Sequence, residues 1–258
     1  MRILKKLGFA LAAATALMAA PVLSQSALND ILSNGVLKVG TTGDWNPMSV
    51  RDPATNKYKG YDIDVMTQLA TDMGVELEFV PTDWKTLVNG VVAGNYHMTG
   101  SASISPARLK AAGYSSSYIS VEILPFTTAD KSSKFTGWDS INKADVKVAT
   151  TLGTTFEKLV RKWFPDATIV VVEAPARGYQ EVLSGRADVF VTSNIEGSTL
   201  TEKFPNVEQV AVEGARAPTP IAMLLPQTDQ VWINYVNSWI ELKKTQGFFE
   251  ATAENWGL

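Results

Sequence analysis

The amino-acid sequence predicts an α/β fold made of two similar lobes. An alternation of strand-like and helix-like segments begins twice, once near Val36 and again near Val146. Alternation of this kind is typical of mostly parallel sheets covered by helices. The chain has 258 residues, which suits one large domain or two small ones, and its 45% hydrophobic and 19% charged residues are typical of a globular protein.

The first series of elements begins with a short apolar strand and a turn-rich loop that ends at Pro47. We predict strands at residues 36–40, 75–80, 96–103 and 121–128, and helices at residues 61–73, 83–92 and 108–112. The strand at 121–128 contains Pro125, which favours an edge strand or a crossover between lobes.

The second series repeats the alternation. We predict strands at residues 146–150, 168–172, 187–191, 207–212 and 222–225, and helices at about 155–163, 178–184 and 231–245. Either Thr154 or Thr155 can cap the first of these helices, and Gly185 can end the second.

The two series predict a specific division of the chain. Lobe one is expected at residues 28–128 plus 221–258 and lobe two at residues 129–220, with crossovers near 127–130 and 220–222. Sheets of this class bind ligands beyond the carboxyl ends of their strands. Two such lobes facing each other would form a cleft that a hinge closes over a ligand.

The N-terminal residues 1–24 have the pattern of a signal peptide. Arg2, Lys5 and Lys6 precede an apolar stretch at 7–20, and cleavage is expected after Ser24. The stretch is shorter than the roughly 18 residues that cross a bilayer, so export is favoured over a membrane anchor. No comparable apolar run occurs later in the sequence.

The composition excludes several classes of function. The chain has no cysteine, which excludes thiol nucleophiles, iron–sulfur clusters and a lipid-modified cysteine after the signal peptide. Its single histidine, His97, cannot form a multi-histidine metal site, and we interpret it as structural. The net charge of −3 and the lack of a long basic run indicate no nucleic-acid partner. We therefore expect neither a metal nor a cofactor.

Four segments, taken in order, resemble one known family. They are Gly-Val-Leu-Lys-Val-Gly at 35–40, Lys-Gly-Tyr-Asp-Ile-Asp-Val at 59–65, Ser-Ile-Ser-Pro-Ala-Arg at 103–108 and Gly-Thr-Thr at 153–155. The set is similar to the periplasmic solute-binding proteins for polar amino acids, family 3. This resemblance implies a two-lobed, type II periplasmic-binding-protein-like fold, also called a venus flytrap, with a hinge of two crossovers.

The resemblance also implies a function and a location. Members of this family bind a small ligand between their lobes in the periplasm, and the closed form docks onto the membrane permease of an ABC transporter. We therefore expect a periplasmic protein that is a monomer, with a small carboxylate as ligand and a permease as partner.

Arg108 is the main candidate for ligand binding. Its guanidinium is a planar fork that matches a carboxylate, although an arginine can equally be a solvated surface residue. Ser103 and Ser101 precede it and could complete a carboxylate site. Thr154 and Thr155 could bind the ligand from lobe two at a helix N-terminus, or could simply cap that helix.

Two tryptophans are candidates for the walls of the site. Trp45 and Trp84 stand where the family places aromatic residues that sandwich the ligand side chain. Core packing is the alternative, but neither residue lies in an apolar stripe of the sequence, and binding residues are often found on loops.

One position departs from the family pattern. Ser193 stands where members that bind α-amino acids usually have an aspartate for the ammonium group. Either the ligand lacks an α-amino group, or Glu196 receives it with help from Asn194. Glu196 could also be a helix first-turn carboxylate that only interacts with the helix dipole.

Within the family, the segments 41–45, 192–196 and 235–239 look like those of cyclohexadienyl dehydratase. That resemblance implies an alternative enzymatic role, with Glu196 as the general acid for loss of water and carbon dioxide from prephenate. Phe156 and Ser193 replace two polar site groups of the dehydratase. We therefore favour a binding protein and keep the dehydratase, a carbon–oxygen lyase, as the alternative.

Overall fold

The computed structural model describes residues 26–258. The predicted signal peptide at residues 1–24 lies outside the described residues. None of the helices in the described part is both long enough and apolar enough to span a membrane.

The first half of the described chain forms most of lobe one. Its helices are α1 (Ala27–Asn34), α2 (Tyr61–Met73), α3 (Leu87–Val92) and α4 (Pro106–Leu109). Its strands are β1 (Val36–Thr41), β2 (Asp44–Trp45), β3 (Ser49–Arg51), β4 (Tyr58–Lys59), β5 (Glu76–Pro81), β6 (Met98–Thr99), β7 (Ser101–Ser103) and β8 (Gly113–Tyr114).

The remaining elements form lobe two and then return to lobe one. The strands are β9 (Ile119–Thr128), β10 (Lys147–Thr151), β11 (Thr168–Val172), β12 (Val189–Ser193), β13 (Val207–Gln209) and β14 (Arg216–Leu225). The helices are α5 (Trp138–Ile141), α6 (Thr155–Trp163), α7 (Gly178–Leu183), α8 (Asn194–Lys203), α9 (Gln230–Thr245) and α10 (Phe248–Asn255).

Parallel pairing organises both lobes, which confirms the predicted α/β class. In lobe one, β1 lies between β5 and β6 and is parallel to both. In lobe two, β10 lies between β11 and β12 and is parallel to both. The lobe-one core includes Trp232 and Val236 from α9, which is how the C-terminal helices join the first half of the chain.

The predicted strand at 96–103 is wrong as a single element. It is two short strands in different sheets, since β6 pairs with β1 and β7 pairs with β14. Gly100 separates them, and a Cβ at this position would lie 3.0 Å from the Asp62 carboxylate. The close approach of this backbone to Asp62 therefore favours glycine at the point where the chain changes sheets.

The predicted helix at 83–92 starts later than expected. The Asp83 carboxylate accepts a hydrogen bond from the backbone N–H of Thr86 at 2.7 Å, and regular helix begins only at Leu87. Trp84 therefore lies in a turn before α3, where its side chain is free to point toward the other lobe.

The hinge consists of β9 and β14, which pair antiparallel. On β9, Val121 packs in the lobe-one core while Ile123 packs in a lobe-two core. On β14, Ala217 packs with lobe two and Ile221 with lobe one. On β14 the change from one core to the other therefore lies between Ala217 and Ile221.

The first crossing lies earlier than the predicted residues 127–130. Strand pairing joins Thr127 and Thr128 to β13, and residues 123–126 to β12, all within lobe two. The sequence-based boundary followed the end of the apolar run, but β9 continues as one strand through both lobes.

Candidate functional site

The lobes contact each other across the cleft. Asp44 of lobe one accepts a hydrogen bond from Arg177 of lobe two, and Lys85 forms an ion pair with Glu173. Gly153, with φ +77°, lies so close that a Cβ there would be 2.5 Å from the backbone nitrogen of Lys85. The structure is therefore the closed form of the two lobes.

Arg108 is a buried cation at the start of α4. Ser105 caps this helix and Pro106 occupies its first turn, so the chain turns sharply after β7 and carries Arg108 into the cleft. Only 8% of Arg108 is exposed, and its Nη1 donates to the Ser103 carbonyl at 3.3 Å. Its Nη2 is buried and has no hydrogen-bond partner among residues 26–258.

Within the described part of the chain, no neighbouring carboxylate balances the charge of Arg108. Burial lowers the pKa of its guanidinium, and Tyr114 is the group that partly opposes this shift. A buried charge without a partner is costly, because it has lost its hydration without gaining an ion pair. An anionic ligand would remove that cost.

Trp45 and Trp84 form an aromatic wall beside Arg108. Their ring centroids are 5.9 Å apart in an edge-to-face arrangement, and the Arg108 guanidinium carbon lies 6.0 Å from the Trp84 ring. Trp84 Nε1 donates to both oxygens of Asp44, at 3.0 and 3.1 Å, which fixes the orientation of its ring. Trp45 Nε1 is buried without an acceptor.

Lobe two contributes the N-terminus of α6. Thr154 is its N-cap, as predicted: its Oγ1 accepts from the Glu157 backbone N–H at 3.2 Å and donates to the Thr151 carbonyl at 2.7 Å. Thr155 and Phe156 follow in the first turn. The Thr154 hydroxyl is therefore already used within the lobe.

These residues line a cavity between the lobes that is partly open to solvent. Its lining comprises Trp45, Trp84, Ser103, Arg108, Thr154, Thr155, Phe156 and Arg177. Six of these eight are residues that the sequence analysis put forward for ligand binding. Phe156 and Arg177 were not among the predicted ligand contacts.

The other predicted contacts lie away from this cavity lining. Ser193 is the N-cap of α8, fully buried, and its Oγ accepts from the Glu196 backbone N–H at 3.2 Å. Asn194 accepts from the backbone N–H of Glu122 at 2.9 Å, and so ties α8 to the hinge strand β9. Both side chains have partners within the protein.

Ser101 belongs to a buried cluster inside lobe one. Its Oγ donates to Asp62 at 2.5 Å and shares a hydrogen bond with the Tyr118 hydroxyl at 2.7 Å. Burial raises the pKa of Asp62 to about 7, although the hydroxyl and backbone N–H of Ser101 both donate to its carboxylate and oppose the shift.

Arg177 joins the two lobes through a buried charge cluster. Its Nε and Nη2 donate to the two oxygens of Glu196 at 3.1 and 2.6 Å, and its Nη1 donates to Asp44 at 3.2 Å. Thr192 also donates to Glu196. Burial opposes the charge of Arg177, but the carboxylates of Glu196 and Asp44 raise its pKa above the ordinary value.

The sequence signal for Arg177 was weak. The residue precedes the predicted helix at 178–184, and its place in the sequence does not indicate its partners. Arg177 and Asp44 are 133 residues apart in the chain, so only the closed fold brings them together.

The sequence matches the model of the "Bacterial extracellular solute-binding proteins, family 3" over residues 37–258. This chain belongs to that family. The family 3 fold predicted from the sequence is thereby confirmed, and the similar solved structures agree with it.

Three similar proteins represent both functions found among relatives of this family 3 chain. Cyclohexadienyl dehydratase of Pseudomonas aeruginosa is 30% identical over 233 residues, covering 90% of this chain and 86% of the relative. The crystal structure of AncCDT-1, an ancestral amino-acid-binding protein and precursor of cyclohexadienyl dehydratase, has a TM-score of 0.83 and 32% identity, covering 90% and 99%. An ancestral cyclohexadienyl dehydratase, AncCDT-3, has a TM-score of 0.54 and 38% identity, covering 91% and 97%.

Proposed function

We propose that this family 3 protein captures a small carboxylate, amino-acid-like or otherwise, between its lobes in the periplasm. The observation that carries the proposal is the buried Arg108 guanidinium, whose Nη2 has no partner, in the wall of the inter-lobe cavity. A ligand carboxylate accepting from this group would form a charge-assisted hydrogen bond in a site shielded from water.

Closure supports a role in capture and release. The cavity is lined from both lobes, so a ligand held in it stabilises the closed form over the open form. In this proposal the closed, monomeric protein docks onto the permease of an ABC transporter, and two relatives are named as ABC transporter-binding proteins.

A second candidate is cyclohexadienyl dehydratase, favoured by the retained Glu196 and by the identity with that enzyme. A general acid must present a proton to the substrate. Here both oxygens of Glu196 accept hydrogen bonds from Arg177. Glu196 is also absent from the lining of the inter-lobe cavity. This arrangement favours binding over dehydration.

The test is calorimetric titration of the purified protein with small carboxylates, namely L-amino acids, their 2-oxo analogues and their 2-hydroxy analogues. We expect one class to bind, and Arg108→Ala to weaken that binding at least about 30-fold, or about 2 kcal/mol, because it removes one partner of a buried charge pair. Arg161→Ala, which removes an exposed arginine of α6, is the matched control and should leave affinity unchanged.

Two results would contradict the proposal. Carboxylate binding that survives Arg108→Ala would remove the site from this cavity. Alternatively, the wild-type protein could bind none of the carboxylates yet convert prephenate to phenylpyruvate, with loss of turnover in Glu196→Gln. That pattern would establish the dehydratase.

A further inference from the structure

The cavity contains buried hydrogen-bond donors that no acceptor of the described chain reaches. They are Arg108 Nη2 and Trp45 Nε1, and both residues line the cavity. Neither group can accept a hydrogen bond. None of the eight lining residues carries a carboxylate. The lining therefore calls for a ligand with acceptor oxygens.

An ammonium group would need a carboxylate, and the two that bond to the lining residues Trp84 and Arg177 already accept hydrogen bonds from protein donors. Asp44 accepts from Trp84 with both oxygens and from Arg177 with Oδ2. Glu196 accepts from Arg177 with both oxygens and from Thr192. Arg177 lines the cavity whereas Glu196 does not, so the arginine stands between the ligand space and this carboxylate.

Ser193 does not compensate for the missing carboxylate. It is fully buried, and its hydroxyl caps α8 by accepting from the Glu196 backbone N–H. The position at which the sequence analysis noted a departure from the amino-acid-binding pattern therefore contributes to the structure of lobe two rather than to the cavity.

We infer that the ligand is a carboxylate without an α-ammonium group, with an oxo or hydroxyl oxygen in its place and an apolar or aromatic body. This inference rests on the proposed function and specifies its ligand. Asp44 and Glu196 both pair with Arg177, whereas Arg108 has no carboxylate partner among the described residues. A ligand carboxylate pairs with Arg108, whereas the ammonium of an amino acid would be buried beside guanidinium groups, and the lining supplies no carboxylate to pair with it. Trp45, Trp84 and Phe156 supply the apolar surface.

The first experiment compares ligands that differ only at the α-carbon. Calorimetric titration of the purified protein uses L-phenylalanine against phenylpyruvate, phenyllactate and hydrocinnamate, and L-leucine against α-ketoisocaproate. We expect an oxo or hydroxy acid to bind at least about tenfold more tightly than its amino-acid partner, because the ammonium loses hydration without gaining an acceptor. Equal or tighter binding of the amino acids overturns the inference.

The second experiment tests whether Arg177 determines the preference for oxo acids over amino acids. Arg177→Ala frees Asp44 and Glu196 to accept an ammonium, so we expect the ratio of oxo-acid to amino-acid affinity to fall at least about tenfold. In Arg177→Ala with Glu196→Gln, one freed carboxylate is neutral and the ratio should recover in part. An unchanged ratio in a folded Arg177→Ala protein contradicts the inference. If this variant does not fold, the comparison of matched ligand pairs in the wild-type protein still tests the inference.

The two proposals fail in distinguishable ways. If amino acids bind tightly and Arg108→Ala abolishes that binding, the capture function stands and only the inference about the ligand is overturned. If no carboxylate of either series binds to the wild-type protein, both are overturned.

Discussion

At the scale of single residues, the sequence indicated part of the cavity lining but not the charge cluster beside it. Arg108, Trp45 and Trp84 were put forward because their positions resemble those of ligand-contact residues in the family, and all three line the cavity. Arg177 could not be assigned, because its role depends on Asp44 and Glu196, which reach it only through the fold. Short sequence motifs do not predict contacts between residues that are far apart in the chain.

Asp62 provides a prediction about pH at the residue scale. Burial raises its pKa from 3.8 to about 7, so the folded protein binds a proton that the unfolded chain releases. Its contribution to stability is present below the unfolded value and is lost as pH rises through about 7. Relative to Asp62→Asn, the free energy of unfolding of the wild-type protein should therefore fall between about pH 4 and pH 7.

Urea denaturation across this pH range measures the effect. Asp64→Asn, which changes an exposed carboxylate on the same helix, is the control and should parallel the wild-type curve. A constant difference between wild type and Asp62→Asn at every pH would show that Asp62 does not titrate in this way.

At the scale of elements, prediction succeeded where a local start and stop signal framed an apolar stripe. Helix α2 was predicted residue for residue, and it lies between Gly60 and Gly74, with Gly74 in the left-handed region. Helix α8 was not predicted as a helix of defined length. Its buried residues include Glu196 and Gly197 beside Ile195 and Leu200, so it shows no continuous apolar stripe.

Gly197 shows why α8 tolerates a poor helix former. A Cβ at this position would lie 1.9 Å from Cζ of Phe126 on the hinge strand β9. Although alanine favours helix by about 1 kcal/mol over glycine, we expect Gly197→Ala to destabilise the protein by about 1–3 kcal/mol through this overlap. Thermal unfolding measures it.

The overlap has its own control. Adding Phe126→Leu to Gly197→Ala removes the ring atom and should recover part of the loss, whereas Thr201→Ala on the exposed side of α8 should change little. If the Gly197→Ala protein is more stable than the wild type, helix propensity outweighs the overlap with Phe126 at this position.

At the scale of the whole molecule, the two-lobed α/β fold followed from the repeated alternation of elements, but the hinge position did not. Strand β9 runs without interruption through both lobes, so no loop in the sequence marks the crossing. The pairing of β9 with β12 and β13, which only the folded sheet contains, defines where lobe two begins.

A substitution at Gly153 tests closure of the lobes separately from folding of the protein. Its Cβ would lie 2.5 Å from Lys85 of the other lobe, so Gly153→Ala should hinder closure and weaken ligand binding at least about tenfold. Small-angle scattering with saturating ligand should report a larger radius of gyration than for the wild-type protein.

Gly185→Ala is the matched control. Gly185 has φ +76°, close to the +77° of Gly153, but has nothing within 4 Å of its added Cβ. Both substitutions should reduce stability by about 1 kcal/mol through backbone strain, while only Gly153→Ala should affect binding. Wild-type affinity in Gly153→Ala would show that closure does not require this close approach.

The hinge also makes lobe two a transferable unit. The chain enters lobe two on β9 and leaves it on β14, and these strands are direct neighbours, so the stretch between residues 123 and 217 begins and ends at one edge. A chimera that takes this stretch from an amino-acid-binding relative keeps Arg108, Trp45 and Trp84 and replaces Arg177, Ser193 and Glu196. In the proposed function, the residue that binds the carboxylate and the residues that would select for or against an ammonium therefore lie on separate, exchangeable pieces of one chain.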